Sequence, residues 1–277
     1  MPELPVVELV TRFLRALVSG RTIVKADLLR PRLAPNSTPD DFARSMSKTR
    51  IDAIRRRGKY ILVDLDNGKT LVTHLRMSGR FMLLGARDED PRFGHAVFHF
   101  EDGQRLVFQD QRHFGFMRVA PSGEVGALPE IKGLAPEPFS DAFCVDYLHT
   151  SLRSSKRAIK EFLIDQSRVC GLGNIYSAEA LFLARINPVK RTNSLSRPRT
   201  ACLHEAICHI LTEAIETGST LRADPADSDS AYYGGEYERY WRVYDREGQP
   251  CTVCDARIRR LKQGGRSTYY CPSCQKR

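Results

Sequence analysis

Two groups of residues in this 277-residue chain have the types and spacing to do chemistry. Cys251-x2-Cys254 is followed after sixteen residues by Cys271-x2-Cys274. Thiols paired at two-residue spacing, twice, are the two knuckles of a four-thiolate zinc site. Four protein ligands close the tetrahedron and leave no position for water, so one structural Zn2+ holding a small hairpin is expected rather than a catalytic ion. The second group is Met1-Pro2-Glu3. Removal of Met1 would free Pro2 as a secondary amine. An α-amino group titrates at about 7.7 to 8.0, so a neutral fraction exists near pH 7 that can condense with a sugar aldehyde carbon to an iminium. Glu3 would be the acid that opens the sugar. Taken alone, Met-Pro-Glu is in most proteins merely the lead-in to a helix.

The partner of such groups is indicated by charge. The chain carries a formal +10, an excess that favours a polyanion. The cations cluster: Arg44, Lys48, Arg50, Arg55, Arg56, Arg57 and Lys59 lie together, and the last 27 residues hold seven Lys or Arg against one Asp. Between the cysteine knuckles sit Arg257, Arg259, Arg260, Lys262 and Arg266, with Gly264-Gly265 marking a hairpin tip. A basic finger of this kind suits phosphates, whose neutralisation releases counterions; solvated surface faces are the other reading of the charge runs. The remaining cysteines, Cys144, Cys170, Cys202 and Cys208, are scattered singly and suggest no disulfide framework. With no basic-then-apolar leader and no apolar run of roughly 18 residues, neither secretion nor membrane insertion is indicated, and a cytoplasmic protein is expected.

These groups need elements to position them. After Pro5, apolar residues at Val6, Val10, Phe13, Leu14 and Leu17 recur at helical spacing and Gly20 supplies a stop, giving an N-terminal helix. From about Thr22 to Arg118 short apolar runs alternate with turns such as Asp66-Asn67-Gly68 and Glu101-Asp102-Gly103, which reads as an antiparallel β domain, sandwich or barrel. From about Asp141 to Thr217 the period is helical, with segments at 158–163, 178–183 and 201–215. Gly171-Leu172-Gly173-Asn174 makes a tight turn there, suited either to close approach of a phosphate or to close helix packing. Asp224 to Gly235, acidic and rich in small residues, is expected to be a mobile loop.

Four motifs occur in order: Met1-Pro2-Glu3-Leu4-Pro5-Val6-Val7-Glu8, His74-Leu75-Arg76-Met77-Ser78-Gly79, Gly171-Leu172-Gly173-Asn174-Ile175-Tyr176, and Gly265-Arg266-Ser267-Thr268-Tyr269-Tyr270-Cys271-Pro272-Ser273-Cys274. Together they resemble the formamidopyrimidine-DNA glycosylase family over nearly the whole length. The resemblance implies an α+β fold: an N-terminal antiparallel β-sandwich flanked by helices over residues 1–135, a helix-two-turn-helix domain over 136–240 and a four-cysteine zinc finger, a zinc-ribbon hairpin, over 241–277. It implies excision of oxidised purines from double-stranded DNA followed by β,δ-elimination. Pro2 would be the nucleophile, Glu3 the acid at the sugar ring oxygen, Lys59 the lysine assisting β-elimination, and Arg266 the arginine of δ-elimination and phosphate binding. Met77, Arg112 and Phe114 would fill the void left by an everted base, with Arg112 pairing to the orphaned partner. His74, His95, Lys156 and Asn174 would contact the DNA backbone, and the loop from about Gly218 to Gly235 would cap the everted base.

The sequence departs from the family pattern at Val6, where a second glutamate is usual, and at His113, where another basic residue is commoner. Lesion range is therefore the finer question. An endonuclease VIII-like enzyme for oxidised pyrimidines and a silent zinc protein that binds damaged DNA are the alternatives; Leu4-Pro5, Met77 and Arg112-x-Phe114 favour the purine branch. No dimerisation signal is present, so a monomer without organic cofactor is expected.

Overall fold

A computed structural model of the chain describes residues 2–218 and 240–276. It divides into two compact units, whose described residues are 2–132 in the first and 133–218 with 240–276 in the second. Helix α1, Leu4–Val18, begins with Pro at its first turn and buries Val6, Val7, Val10, Leu14 and Val18 on one face, the stripe that a 3.6-residue period requires. It ends before Gly20, which takes the left-handed φ of +77° that a β-carbon disfavours.

The strands are β1 Thr22–Leu28, β2 Thr49–Arg57, β3 Tyr60–Leu65, β4 Lys69–His74, β5 Gly79–Leu84, β6 Gly94–Phe100, β7 Arg105–Asp110 and β8 Phe116–Pro121. They pair antiparallel in the order β5-β7-β6-β1-β2-β3-β4-β8. Only two residue pairs, Thr22↔Arg50 and Ile23↔Thr49, join β1 to β2, and register shifts at Ile23/Lys25 and Ile51/Ala53 flank that junction. Such bulges bend a sheet. The two four-stranded halves therefore fold over one core, to which Ala26, Phe81, Phe98 and Phe108 contribute from one side and Ile54, Ile61, Val63 and Leu71 from the other. The expected sandwich is present.

The β pattern from Thr22 to Arg118 is interrupted, contrary to expectation, by helix α2, Pro39–Met46. Its start signals are local: Thr38 caps by accepting from the Asp41 amide, Pro39 opens the helix, and Asp40 and Asp41 lie in the first turn. With only Phe42 and Met46 buried, its apolar period is too short to stand out from alternating strands.

In the second unit, α4 Val145–Arg153, α5 Ile159–Leu163, α6 Asn174–Leu183 and α7 Arg197–Glu216 follow the short α3, Pro129–Lys132, of the first. Helix α6 is buried on almost every side, and Ala178 and Phe182 share a core with Val243, Cys251, Ile258, Tyr269 and Cys271. Strands β9 Arg259–Gln263 and β10 Arg266–Tyr270 form a hairpin. Its loop is Gly264-Gly265, both at positive φ, the backbone that two-residue hairpins favour. Among the described residues no helix is long and apolar enough to cross a membrane.

Candidate functional site

In the first unit, Pro2 and Glu3 are buried at the head of α1. Glu3 occupies the N-cap with extended backbone and its carbonyl accepts from the Val7 amide at 3.1 Å. Its carboxyl is not used as the helix cap. Lys59 is buried in the two-residue loop Gly58-Lys59 that joins β2 to β3, where Gly58 supplies a φ of +58°. The head of α1 is locked to this loop by one chain of bonds. Glu8 takes Arg56 Nε at 2.9 Å, and the Arg56 guanidinium also donates to the Gly58 carbonyl at 3.1 Å. Burial pushes the Glu8 carboxyl up, but Arg56 and Arg12 outweigh it and hold the group below its ordinary range. Farther along, the Arg15 guanidinium donates to the Ile54 carbonyl at 2.9 and 3.0 Å.

His74 ends β4, paired across to Tyr60, with its ring edge-on to the tyrosine at 4.7 Å. Burial first, then the charges of Arg76 and Lys59, lowers its pKa from 6.5 to about 3. It is therefore neutral at working pH. Its Nδ1 accepts from the Arg76 amide at 2.9 Å, which leaves the proton on Nε2 as a hydrogen-bond donor rather than a cation.

Met77 and Phe114 are 37% and 55% exposed, so neither is a core residue. Met77 lies in the loop before β5; Arg112 and Phe114 lie in the turn after β7, with the guanidinium 5.3 Å from the Phe114 ring centre. The residues Arg76 and His113, adjacent to these tips, sit at φ of +56° and +61°, a conformation that costs about 1–2 kcal/mol in a non-glycine residue. His95 is buried, its Nε2 2.8 Å from the Asp110 carbonyl and 3.0 Å from His113 Nδ1. A carbonyl only accepts, so Nε2 carries the proton, and His95 braces the turn bearing Arg112 rather than offering that nitrogen to solvent.

In the second unit, Asn174 opens α6 directly after Gly173. The turn before it is held by Gln166, which donates to the Leu172 carbonyl at 2.8 Å and accepts from the Gly171 amide at 3.0 Å. A glycine-bearing turn running into a helix N-terminus presents amides to an anion. The Asn174 side chain donates to the Ser267 carbonyl at 3.0 Å and accepts from Lys160 Nζ at 2.6 Å. Lys160, 2% exposed, also donates to the Ser267 carbonyl at 3.0 Å and Thr268 Oγ1 at 2.8 Å. The glycine turn before α6 and the hairpin strand that begins with Arg266 are thus one bonded assembly. Arg266 itself is exposed at the start of β10, and Lys156 is exposed between α4 and α5.

The sulfurs of Cys251, Cys254, Cys271 and Cys274 lie within 4.8 Å of one another, with contacts of 3.9, 3.5 and 3.3 Å. Tetrahedral Zn–S bonds of about 2.3 Å set sulfurs about 3.8 Å apart, so the set fits one zinc ion. The amides of Val253 and Cys274 point at Cys251 and Cys271 sulfur at 3.4 Å, as thiolate ligands require.

Comparison with known proteins converges on one family. Residues 1–117 match the formamidopyrimidine-DNA glycosylase N-terminal domain, 134–224 the H2TH domain of the same enzymes, and 248–277 the zinc finger found in FPG and IleRS. The formamidopyrimidine-DNA glycosylase of Pelotomaculum thermopropionicum is 40% identical over 276 residues, covering 100% of this chain and 99% of the relative. The chain belongs to the formamidopyrimidine-DNA glycosylase family. Two solved Lactococcus lactis relatives superpose over the full length of both chains. One is a variant bound to Fapy-dG-containing DNA (TM-score 0.92, 32% identity) and the other the wild type bound to DNA containing an oxidised pyrimidine (TM-score 0.91, 33% identity). Membership makes this chain a zinc-finger, DNA-binding glycosylase of base excision repair.

Several residues that organise the glycosylase were not singled out by their sequence. Lys160 stands among Ile159, Phe162 and Leu163, where a buried cation is unexpected. Glu179, fully buried in α6, accepts from the amides of Arg242, Val243 and Tyr244 at 2.8 to 2.9 Å and so anchors the approach to the first knuckle. Burial pushes its carboxyl up against those bonds. A charged residue inside an apolar helix was the available signal, but it does not name its partners. The expected capping loop, Gly218 aside, lies outside the described residues, as does all of the acidic segment within it.

Proposed function

We propose that this glycosylase is bifunctional, excising oxidised purines such as 8-oxoguanine and formamidopyrimidines from duplex DNA and then cleaving the abasic strand. The reading rests on one observation above all: the Glu8–Arg56–Gly58 chain of bonds fixes the α1 head, with Pro2 and Glu3, to the loop that carries Lys59. With Met1 removed, the Pro2 amine attacks sugar C1′, the C1′–N bond breaks, and the base leaves with a proton. Glu3 protonates the ring oxygen, the C1′–O4′ bond opens, and an iminium joins Pro2 to C1′. Lys59 assists removal of the C2′ proton, expelling the 3′ phosphate by β-elimination; δ-elimination, assisted by Arg266, expels the 5′ phosphate and leaves a one-nucleotide gap.

Met77, Arg112 and Phe114 occupy the stack vacated by the everted nucleotide. The exposure of Met77 and Phe114 supports this, since large apolar tips set beside residues in costly backbone conformations, Arg76 and His113, have no folding reason to face water. His74, Lys156 and Asn174 hold backbone phosphates and position the duplex without reading sequence. Bound zinc holds the hairpin on which Arg266 is carried.

The L. lactis relative bound to an oxidised pyrimidine lesion favours a second activity on such bases, and Val6 removes a carboxylate from the first turn of α1. Matched duplexes bearing 8-oxoguanine or thymine glycol test the assignment. Faster release of 8-oxoguanine is expected, together with its loss in Pro2→Gly. Preference for thymine glycol would move the enzyme to the pyrimidine branch, and binding without release would make it a silent damage-binding protein.

A further inference from the structure

We propose that Asp110 is a positioning residue for base excision, whose buried carboxylate fixes the Met77 loop and the Arg112–Phe114 turn in a single relative placement. The proposal rests on the reading of these three side chains as occupants of the vacated stack. Asp110 ends β7 at 0% exposure and is paired in register with Gly79, the first residue of β5. Its Oδ1 accepts from the Ser78 hydroxyl, next to Met77, and from the Arg112 amide at 3.2 Å; its Oδ2 accepts from the Gly115 amide at 2.6 Å, next to Phe114. The Arg112 amide also reaches Ser78 Oγ at 3.1 Å, so each loop is bonded both to the carboxylate and to the other. The Asp110 carbonyl accepts from His95 Nε2 at 2.8 Å and from the His113 amide at 3.2 Å.

A carboxylate withdrawn from water is costly unless its oxygens are bonded, and here every donor it meets comes from a loop carrying an exposed tip. The loops have no slack in which to settle otherwise. A β-carbon on Gly79 would stand 2.7 Å from the Phe108 ring, and one on Gly115 the same distance from that ring. Both loops clasp one core aromatic, hold one left-handed residue each, and share one acceptor. Placement of the tips is therefore set before DNA arrives, and the ordering cost of inserting them is lowered in advance.

Asp110→Asn keeps the shape but offers one acceptor and one donor, so in either orientation one loop meets a donor where it had an acceptor. Three measurements are made: release of 8-oxoguanine from duplex opposite cytosine, the same opposite adenine, and cleavage of a preformed abasic site in single-stranded DNA, where there is no stack to fill. For Asp110→Asn, duplex release is expected to fall about 10- to 100-fold, as for a buried group left unpaired. The preference between opposing bases is expected to shrink, with single-strand cleavage changed by less than about 3-fold. Ser78→Ala, which removes the hydroxyl's bonds to the Asp110 carboxylate and the Arg112 amide at a half-exposed residue, is expected to shift the same ratio about 3- to 10-fold and decides the matter if Asp110→Asn does not fold.

Arg112→Ala separates the two layers of argument. If it leaves duplex release and opposing-base preference unchanged, the reading of the tips falls. If it impairs them while Asp110→Asn, or Ser78→Ala in its place, leaves them at wild-type levels, the assignment to Asp110 is overturned. Equal loss on duplex and single strand would also overturn it, by making Asp110 a general stabiliser.

Discussion

Lys160→Met tests how the second unit couples the glycine turn before α6 to the zinc hairpin. Methionine fills a similar volume and removes the ammonium, with its bonds to Asn174, Ser267 and Thr268. Two of these acceptors keep a partner: the Ser267 carbonyl still receives Asn174 Nδ2 at 3.0 Å, and Thr268 Oγ1 still bonds Gln263 at 3.3 Å. Hydrogen bonds to a charged donor contribute about 1.5–3 kcal/mol each. Part of that sum is offset because methionine escapes the several kcal/mol of desolvating a buried ammonium. A net loss of about 2–4 kcal/mol remains, which for a unit of this size is a fall in Tm of roughly 10 °C. Freed from its lysine, Asn174 also loses orientation, so affinity for a duplex carrying a stable abasic analogue should drop about 10-fold, with loss of one phosphate contact. Calorimetry on the zinc-loaded protein and a binding titration at fixed salt measure both. A Tm within about 2 °C of wild type, with unchanged affinity, would show that the bonded assembly is not what holds the turn.

Four further outcomes follow from the same geometry. His74 has a folded pKa near 3 against 6.5 unfolded, so the folded state binds fewer protons between these values. Its stabilising effect is present above pH 6.5 and is lost as pH falls toward 3, at up to about 1.4 kcal/mol per pH unit; His74→Gln should flatten that acid limb in pH-dependent melts. Because His74 is neutral, the same variant should weaken DNA binding without changing its salt slope, whereas Arg266→Ala should reduce the slope by about one unit. Chelating the zinc should unfold the hairpin around Cys251, Cys254, Cys271 and Cys274 and sharply weaken DNA binding; full affinity after verified metal removal would contradict this. Phe114→Ala should leave Tm within about 1 °C, since the side chain is exposed, while lowering duplex excision; a large Tm loss would show that Phe114 holds the fold.

What the sequence disclosed were features whose meaning is local. The cysteine knuckles, the Gly264-Gly265 tip and the apolar stripe of α1 each fit within a few residues, and spacing alone carries them. Helix α2 was missed although Thr38 and Pro39 announced it, because two apolar residues make too short a period against a background of strands. The organising polar residues were invisible for another reason. Lys160 meets two of its three partners 107 and 108 positions away, Glu179 its partners 63 to 65 away, and Asp110 meets Ser78 across 32. Only the fold pairs them. Resemblance pointed to His95 and Asn174 as expected DNA contacts; it did not disclose that His95 Nε2 braces a turn and that the Asn174 side chain is held by a lysine and a hairpin carbonyl.

The proposed chemistry turns on a covalent bond between the Pro2 amine and the sugar. Intact mass of the protein, and of its borohydride-trapped complex with an 8-oxoguanine duplex, tests it most directly. The expected result is a chain lacking Met1 and one DNA adduct that maps, after digestion, to Pro2. An adduct on any other residue, or none from protein shown to lack Met1, would contradict it.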